Sequence, residues 1–303
     1  PDSEIDEIIE LLHKQTTPSF SFERQGGISS DHSDDEFLEV IKKGIEHCNL
    51  GDVFQVVLSR QFESEFKGDE FQVYRALRSI NPSPYLFYFD YGAYKIFGSS
   101  PEAQIVINTQ EAIIYPIAGT FKRTGDDKAD ADLARQLLND PKENAEHIML
   151  VDLARNDLSK FTSEVAVETY KEVQYYSHVI HLVSKVTGKL GPNSNELDIV
   201  ASTFPAGTLS GAPKYRAMEL IDQYEKSSRG YYGGAIGFMD FGGGFNHAIM
   251  IRTFLSSGRK LIFRAGAGVV AKSKPESEVQ EVYNKLAALE RAMEAAELNS
   301  KKR

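Results

Sequence analysis

Cysteine, basic charge and long apolar runs are what this chain has least of. One residue of 303 is a cysteine, Cys48. No internal disulfide can form, and a reducing compartment, the cytoplasm, is expected. No apolar run approaches the roughly 20 residues of a membrane span, and no secretory signal pattern is visible. Lys and Arg number 34 against 44 Asp and Glu, a formal net charge of −10, which leaves no basic footprint for nucleic acid. Tryptophan is absent too, but that absence excludes nothing by itself. An acidic chain acting on an anionic substrate must supply local positive groups or a metal. With 41% hydrophobic and 26% charged residues, the composition is otherwise that of a globular protein, long enough to enclose a deep site. The chain opens at Pro1, without an initiator methionine, directly into a helix-like stretch, and reads as a fragment or a processed chain.

Residues 3–14 carry apolar side chains at helical spacing. Residues 15–33, rich in Ser, Thr, Gly and Asp, read as a linker. An N-terminal helix and linker, 1–33, is thereby set apart from a catalytic domain, 34–303. Ser33 with Glu36 is a capping-box pattern; the helix it opens should run to about His47 and stop near Asn49 and Gly51. β-Branched and aromatic segments at 53–62, 85–91, 94–98, 104–108 and 112–115 read as strands, close enough for antiparallel meanders rather than crossovers. Helical patterns follow at 127–138 and 141–153, strands at 164–172 and 178–189, and helices at 195–202 and 212–223. Strands at 232–241, 245–255 and 260–265 precede a last helix at 275–297. Strand-rich blocks separated by helices make an α+β chain, and no internal repeat appears.

Glu143 and Glu146, and again Glu278 and Glu281, stand three apart on predicted helices. Such a pair points both carboxylates to one helix face. Two such faces could offer oxygens to Mg²⁺, although the spacing alone more often marks a solvated face. His178 and His181 lie on a predicted strand, three apart and therefore on opposite sides, so at most one enters a given site. A neutral imidazole suits proton transfer, and a hydrogen-bonded sheet histidine is the plainer reading. Phe204–Lys214, FPAGTLSGAPK, opens a predicted helix. Its glycines admit backbone N–H groups to a ligand, the helix start favours an anion, Thr208 adds a hydroxyl, and Pro213 suits a first helical turn. Gly266, Gly268 and Ala271 match G-x-G-x-x-A, but no helix starts there, so a dinucleotide site is rejected. The Gly-Ala-Gly turn could still offer N–H groups to a carboxylate. Arg252, on a predicted strand, is a candidate carboxylate clamp, and Lys285 follows Glu281 by one helical turn.

These signals stand in a recognisable order. The segments GDVFQVVLSRQF, NPSPYLFYF, FGSSPE, PIAGTFKRTG, AEHIMLVDLARNDL, YSHVIHLVSKVTGKL, FPAGTLSGAPK and RAGAGVV…ESEVQEVYNKLAAL resemble the chorismate-utilising enzymes, and among them the anthranilate synthase component I branch, from about Asp34 to about Ala295. The resemblance implies a layered fold of two antiparallel sheets flanked by helices. It implies Mg²⁺ as cofactor, with Glu146 and Glu281 as ligands and Glu143 and Glu278 as supporting acids. By the same resemblance His181, not His178, serves the elimination step. Thr208, Tyr232, Arg252 and Lys285 match substrate contacts, Gly266, Ala267 and Gly268 a backbone cradle for a carboxylate, and Gly119 and Thr120 a turn beside the ring.

Relatives that use water place a lysine where this chain has Gln55, and aminodeoxychorismate synthases often place one where it has Ala118. With neither lysine present, ammonia is the implied nucleophile. The resemblance thus implies conversion of chorismate and ammonia to anthranilate and pyruvate in tryptophan biosynthesis. A separate glutamine amidotransferase subunit would supply the ammonia, since Cys48 lies outside any glutaminase motif. An aminodeoxychorismate synthase, or a fragment that binds chorismate without converting it, are the alternatives. Asn81–Tyr85 resembles half of a tryptophan feedback site whose other motif is absent, so insensitivity to tryptophan is expected.

Overall fold

A computed structural model describes residues 2–13, 20–108, 110–175, 179–192 and 194–301. The chain begins with α1 (Asp2–His13), β1 (Phe22–Ser30), α2 (Asp34–Leu50), β2 (Gln55–Gly68), α3 (Phe71–Ile80), β3 (Tyr85–Asp90) and β4 (Tyr94–Ser100). It continues through β5 (Ala103–Ile107), β6 (Glu111–Ile114), β7 (Ile117–Lys122), α4 (Asp127–Asn139), α5 (Pro141–Ser159), β8 (Ser163–Tyr175) and β9 (Val179–Lys189). Last come α6 (Glu196–Thr203), β10 (Gly211–Ala212), α7 (Lys214–Tyr224), β11 (Ala235–Met239), β12 (Phe245–Ile249), β13 (Thr253–Ser257), β14 (Lys260–Val270) and α8 (Pro275–Lys301). No helix among the described residues is long and apolar enough to cross a membrane.

The strands form two antiparallel sheets, as the sequence leads one to expect. The first has the order β1-β2-β14-β13-β4-β3, with β10 also paired to β2; the second has the order β11-β12-β5-β6-β9-β7, with β8 also paired to β9. Helices α2, α3, α7 and α8 cover one face of the first sheet. Phe37, Ile41, Leu77, Leu220, Leu286 and Leu289 meet Val56, Leu58, Phe97, Phe254 and Phe263 in one core, where each fully buried Leu or Phe contributes roughly 1.5–3 kcal/mol. On the second sheet, Val151, Ala154 and Leu158 of α5 and Ile199 of α6 pack on Ile105, Ile107 and Val186. Helix α4 sets Leu137 on Ile180 and Leu182.

Besides the passages through α6 and α7 that lead into and out of β10, the chain passes directly between the sheets at two neighbouring places. Strand β4 of the first sheet leads through Pro101 and Glu102 into β5 of the second, and β12 of the second leads through Met250–Arg252 into β13 of the first. Backbone bonds tie the crossings together: Ile249 N–H donates to the Glu102 carbonyl (3.0 Å) and Ser99 N–H to the Arg252 carbonyl (3.2 Å). Arg252 turns the second crossing at φ +50°, a region that an L side chain occupies only when its surroundings over-determine it.

Several elements depart from the sequence reading. The stretch read as a linker contains β1, paired along β2; its Phe22 is buried and stacks on Phe66 at 5.5 Å. The linker reading fails because an edge strand with one solvated face can be almost wholly polar. Helix α3 was not read, since Phe, Val, Tyr and Ile favour strands; tertiary packing of Val73, Ala76 and Leu77 prevails. The strand expected over 245–255 breaks at Arg252, which lies between strands rather than on one. Residues 266–268 are interior to β14, not a turn. Helix α7 starts after Pro213, which is its N-cap.

Candidate active site

Helix α8 and the far end of β14 form one wall. Strand β13 accompanies β14 only as far as Phe263; beyond it, β14 is paired to β2 alone, with Gly266 opposite Ser59, Ala267 opposite Leu58 and Gly268 opposite Val57. The opposite edge of this stretch is turned toward α8, because Lys285 Nζ donates to the Gly266 carbonyl at 2.9 Å. Gly266 is required by proximity, since a Cβ there would stand 2.6 Å from the Leu58 carbonyl oxygen; one on Gly268 would stand 2.6 Å from Gln55 Nε2, a side-chain end that would have to move. The residues expected to cradle a carboxylate thus lie on a strand whose outer side has no strand partner among the described residues beyond Phe263.

Glu278, Glu281 and Lys285 project from neighbouring turns of α8. Lys285 Nζ pairs with Glu281 Oε1 at 2.7 Å, and the two side chains keep 46% and 42% of their surface exposed. Glu278 is buried at 3%. Burial alone would lower the Lys285 pKa, but Glu281, Tyr232 and Glu146 outweigh it and raise it. Glu146, on α5, is thus brought into the field of the α8 pair. We take the space bordered by this partly exposed pair and the β14 edge as the candidate cleft.

At the paired crossings, Thr208 Oγ1 donates to Glu102 Oε1 at 2.9 Å. Burial pushes the Glu102 carboxyl above the usual carboxylate range, against Thr208, Lys285 and Arg252. Arg252, its own pKa lowered by burial and raised by Glu102, also acts on His181. That histidine sits on β9 opposite Thr120 and is shifted downward, first by burial and also by Arg252, while the Gly119 carbonyl opposes them. The contact from His181 Nδ1 to the Gly119 carbonyl is 3.0 Å. A carbonyl only accepts, so Nδ1 carries the proton and Nε2 is the basic nitrogen. Gly119 makes this aim possible. It stands at a bulge between Ala118 and Thr120 with φ +74°, and a Cβ there would lie 2.7 Å from Leu137 Cδ1 and 3.2 Å from Glu143 Oε2. Glu143 thereby joins the His181 wall, while His178 lies outside the described residues. Tyr232 is buried at 7%, and its pKa is raised by burial against Arg229 and Lys285.

The loop before α7 contributes Thr208 but no helix N-terminus. Its Gly211 and Ala212 pair with β2 as β10, and Lys214 Nζ reaches back to Asp157 Oδ2 at 2.7 Å. Beside Glu102 and Thr208 lies a cavity of about 50 Å³, bordered also by Gln104, Asp157 and Tyr115. It admits water-sized molecules.

Among the described residues no three His, Cys, Asp or Glu side chains form a metal cage. Two carboxylates, Glu146 of α5 and Glu281 of α8, both acting on Lys285, are still of the kind that suits Mg²⁺, an ion that keeps several waters and substrate oxygens as ligands. Glu102 escaped the sequence reading although its FGSSPE segment was noted; a lone glutamate after a proline has no periodic signal. Arg229, considered below, was missed for the same reason.

Comparison with known proteins bears on the family and the fold. A family model described as chorismate binding enzyme matches residues 1–291. The anthranilate synthase component 1 of Aquifex aeolicus is 46% identical over 270 residues, covering 88% of this chain and 55% of that protein. The crystal structure of anthranilate synthase component I from Streptococcus pneumoniae superposes with a TM-score of 0.81 at 36% identity, covering 95% of this chain and 65% of the other. A putative 2,3-dihydroxybenzoate-specific isochorismate synthase from Bacillus anthracis superposes with a TM-score of 0.79 at 28% identity, over 92% and 76%. The chain spans about half the length of the curated relatives it matches. With its whole described fold and nearly all its length matched, the chain belongs to the chorismate-binding enzyme family.

Proposed function

We propose that this chain carries the catalytic centre of an anthranilate synthase component 1, a lyase that aminates chorismate and then eliminates pyruvate. The observation that carries the reading is the trio around Arg252. One carboxyl, Glu102, is held toward its protonated form, and one imidazole, His181, toward its neutral form, both within the field of one guanidinium. Two titratable groups pushed to opposite readiness are what an acid step followed by a base step requires.

Arg252, Lys285 and the free edge of β14 offset the two carboxylates of chorismate, which answers the need of an acidic chain for local positive charge. Ammonia adds at ring carbon 2. The hydroxyl at carbon 4 takes the Glu102 proton and departs as water. His181 Nε2 then removes the proton from carbon 2, the bond from carbon 3 to the enolpyruvyl oxygen breaks, the enolpyruvate takes up that proton at its methylene carbon and leaves as pyruvate, and the ring becomes aromatic. Mg²⁺, which Glu146 and Glu281 would hold, supplies positive charge against the ring carboxylate when bound. The two positions where relatives place a lysine nucleophile hold none: Gln55 is buried, its Oε1 without a hydrogen-bond partner, and Ala118 is buried in β7. Ammonia comes from a glutamine amidotransferase partner, and the enzyme works in the cytoplasm, in tryptophan biosynthesis. Support comes from the relatives named anthranilate synthase component 1.

The test is direct. The purified chain is mixed with chorismate, an ammonium salt at alkaline pH and Mg²⁺, and anthranilate fluorescence is followed with and without EDTA. Metal-dependent anthranilate is expected. Chorismate consumed into a different amine would move the assignment to an aminodeoxychorismate synthase; chorismate bound but not consumed would make this a binding fragment.

A further inference from the structure

Behind the cleft lies a buried ionic hub that the mechanism above does not use. The Glu225 carboxylate follows the end of α7 and is 3% exposed. Its Oε1 accepts from Ser59 N–H and Ser59 Oγ, both at 2.8 Å, and from Arg229 Nη2 at 2.6 Å. Its Oε2 accepts from Arg229 Nε at 3.0 Å and from Arg264 Nη1 at 2.8 Å. A carboxylate receiving five donors, four of them from charged side chains or a strand backbone, is a rigid reference point.

What the hub holds is the substrate wall. Arg229 Nη1 donates to the Leu209 carbonyl at 2.5 Å, one residue after Thr208, and Nη2 donates to the Val57 carbonyl at 2.7 Å, opposite Gly268. The same guanidinium lies over the Tyr232 ring, 5.7 Å from its centroid. Ser59 stands opposite Gly266, and Arg264 is two residues before it on β14. Thr208, Tyr232 and the Gly266–Gly268 edge come from three separate segments. One planar fork touches all three supports, which a lysine could not do, since it carries a single point charge.

We propose that Arg229, oriented by Glu225, is a positioning residue for chorismate: it fixes the Thr208 loop, the Tyr232 ring and the β14 edge in mutual register. The inference rests on the function proposed above. Misplacing catalytic contacts by a fraction of an ångström loses about tenfold to a hundredfold in rate.

The experiment compares the parent chain with Arg229→Lys and Arg229→Ala. It reads chorismate affinity by calorimetry, kcat and KM in the ammonium assay, and melting by circular dichroism. Arg229→Lys is expected to fold, to bind chorismate at least several-fold more weakly and to lose about tenfold or more in kcat/KM. Millimolar guanidinium should restore part of the activity of Arg229→Ala, and potassium chloride at equal ionic strength should not. Glu225→Gln is avoided because it strips the counter-charge from two buried guanidiniums. A folded Arg229→Lys with parental affinity and kcat/KM overturns the inference. So does a loss that merely tracks the unfolded fraction and answers to no guanidinium. A parent that neither binds nor converts chorismate removes the functional reading first, and the positioning role with it.

Discussion

Individual residues carry the chemistry. Glu281 pairs with Lys285 and is a principal group raising its pKa. Glu281→Gln should cut anthranilate formation by about a thousandfold, the scale of losing a preorganised electrostatic group, and should weaken Mg²⁺ binding in calorimetry; parental metal affinity would sink the ligand assignment. His181→Ala should spare amination more than elimination. The aminated intermediate should accumulate in chromatographic time courses while anthranilate falls by about 10²–10⁴-fold. Anthranilate made at the parental rate would refute that role. The pH dependence has a definite sign. Because the His181 pKa lies below its usual value, the basic form survives into acid, and elimination fails only below that lowered pKa. Because the Glu102 pKa lies above the carboxylate range, its acid form persists upward, and amination weakens as pH rises through it.

Elements decide where those residues point. The capping box at Ser33 was legible because both halves are local, and both bonds form, Glu36 N–H to Ser33 Oγ at 3.2 Å and Ser33 N–H to Glu36 Oε2 at 2.8 Å. The i,i+3 glutamate pairs were legible for the same reason. The β1 edge, helix α3 and the break at Arg252 were not, because each depends on a partner far away in sequence. Periodicity cannot tell a strand that ends in one sheet from one that resumes in another. The resemblance supplied the residue roles, whereas Glu102 and Arg229 emerge from burial and hydrogen bonding alone. The bulge at Gly119 is the element most exposed to test. Gly119→Ala puts an L side chain at φ +74° against Leu137, at about 1–3 kcal/mol of backbone strain. It should lower the urea midpoint and, by turning the carbonyl that His181 uses, reduce elimination more than chorismate binding. Unchanged product partitioning would show that the bulge serves folding alone.

At the scale of the whole molecule, two buried histidines tie stability to pH. His147 and His247 are each pushed down to about 4 by burial, and neither ring nitrogen of His247 has a partner. The folded form therefore refuses protons that the unfolded chain accepts between pH 6.5 and 4. Stability is full above 6.5 and falls as pH drops through that window, by roughly 3 kcal/mol per histidine at the limit. Subtracting the stability profile of His247→Phe from that of the parent isolates one of them. A flat difference across that window would mean that His247 is protonated within the fold.

Helix α8 also sets an order of assembly. It comes after every strand, yet it supplies Val282, Leu286, Leu289 and Met293 to the main core, three candidate site residues to the cleft, and the partners that fasten the opposite end of the chain, Ser300 to Phe22 N–H at 2.9 Å and Glu297 to Arg24. A nascent chain must leave the part of the first-sheet core that α8 covers open until this helix emerges. That part of the core and the α8 side of the candidate site are then completed together, so a chain terminated before α8 has neither.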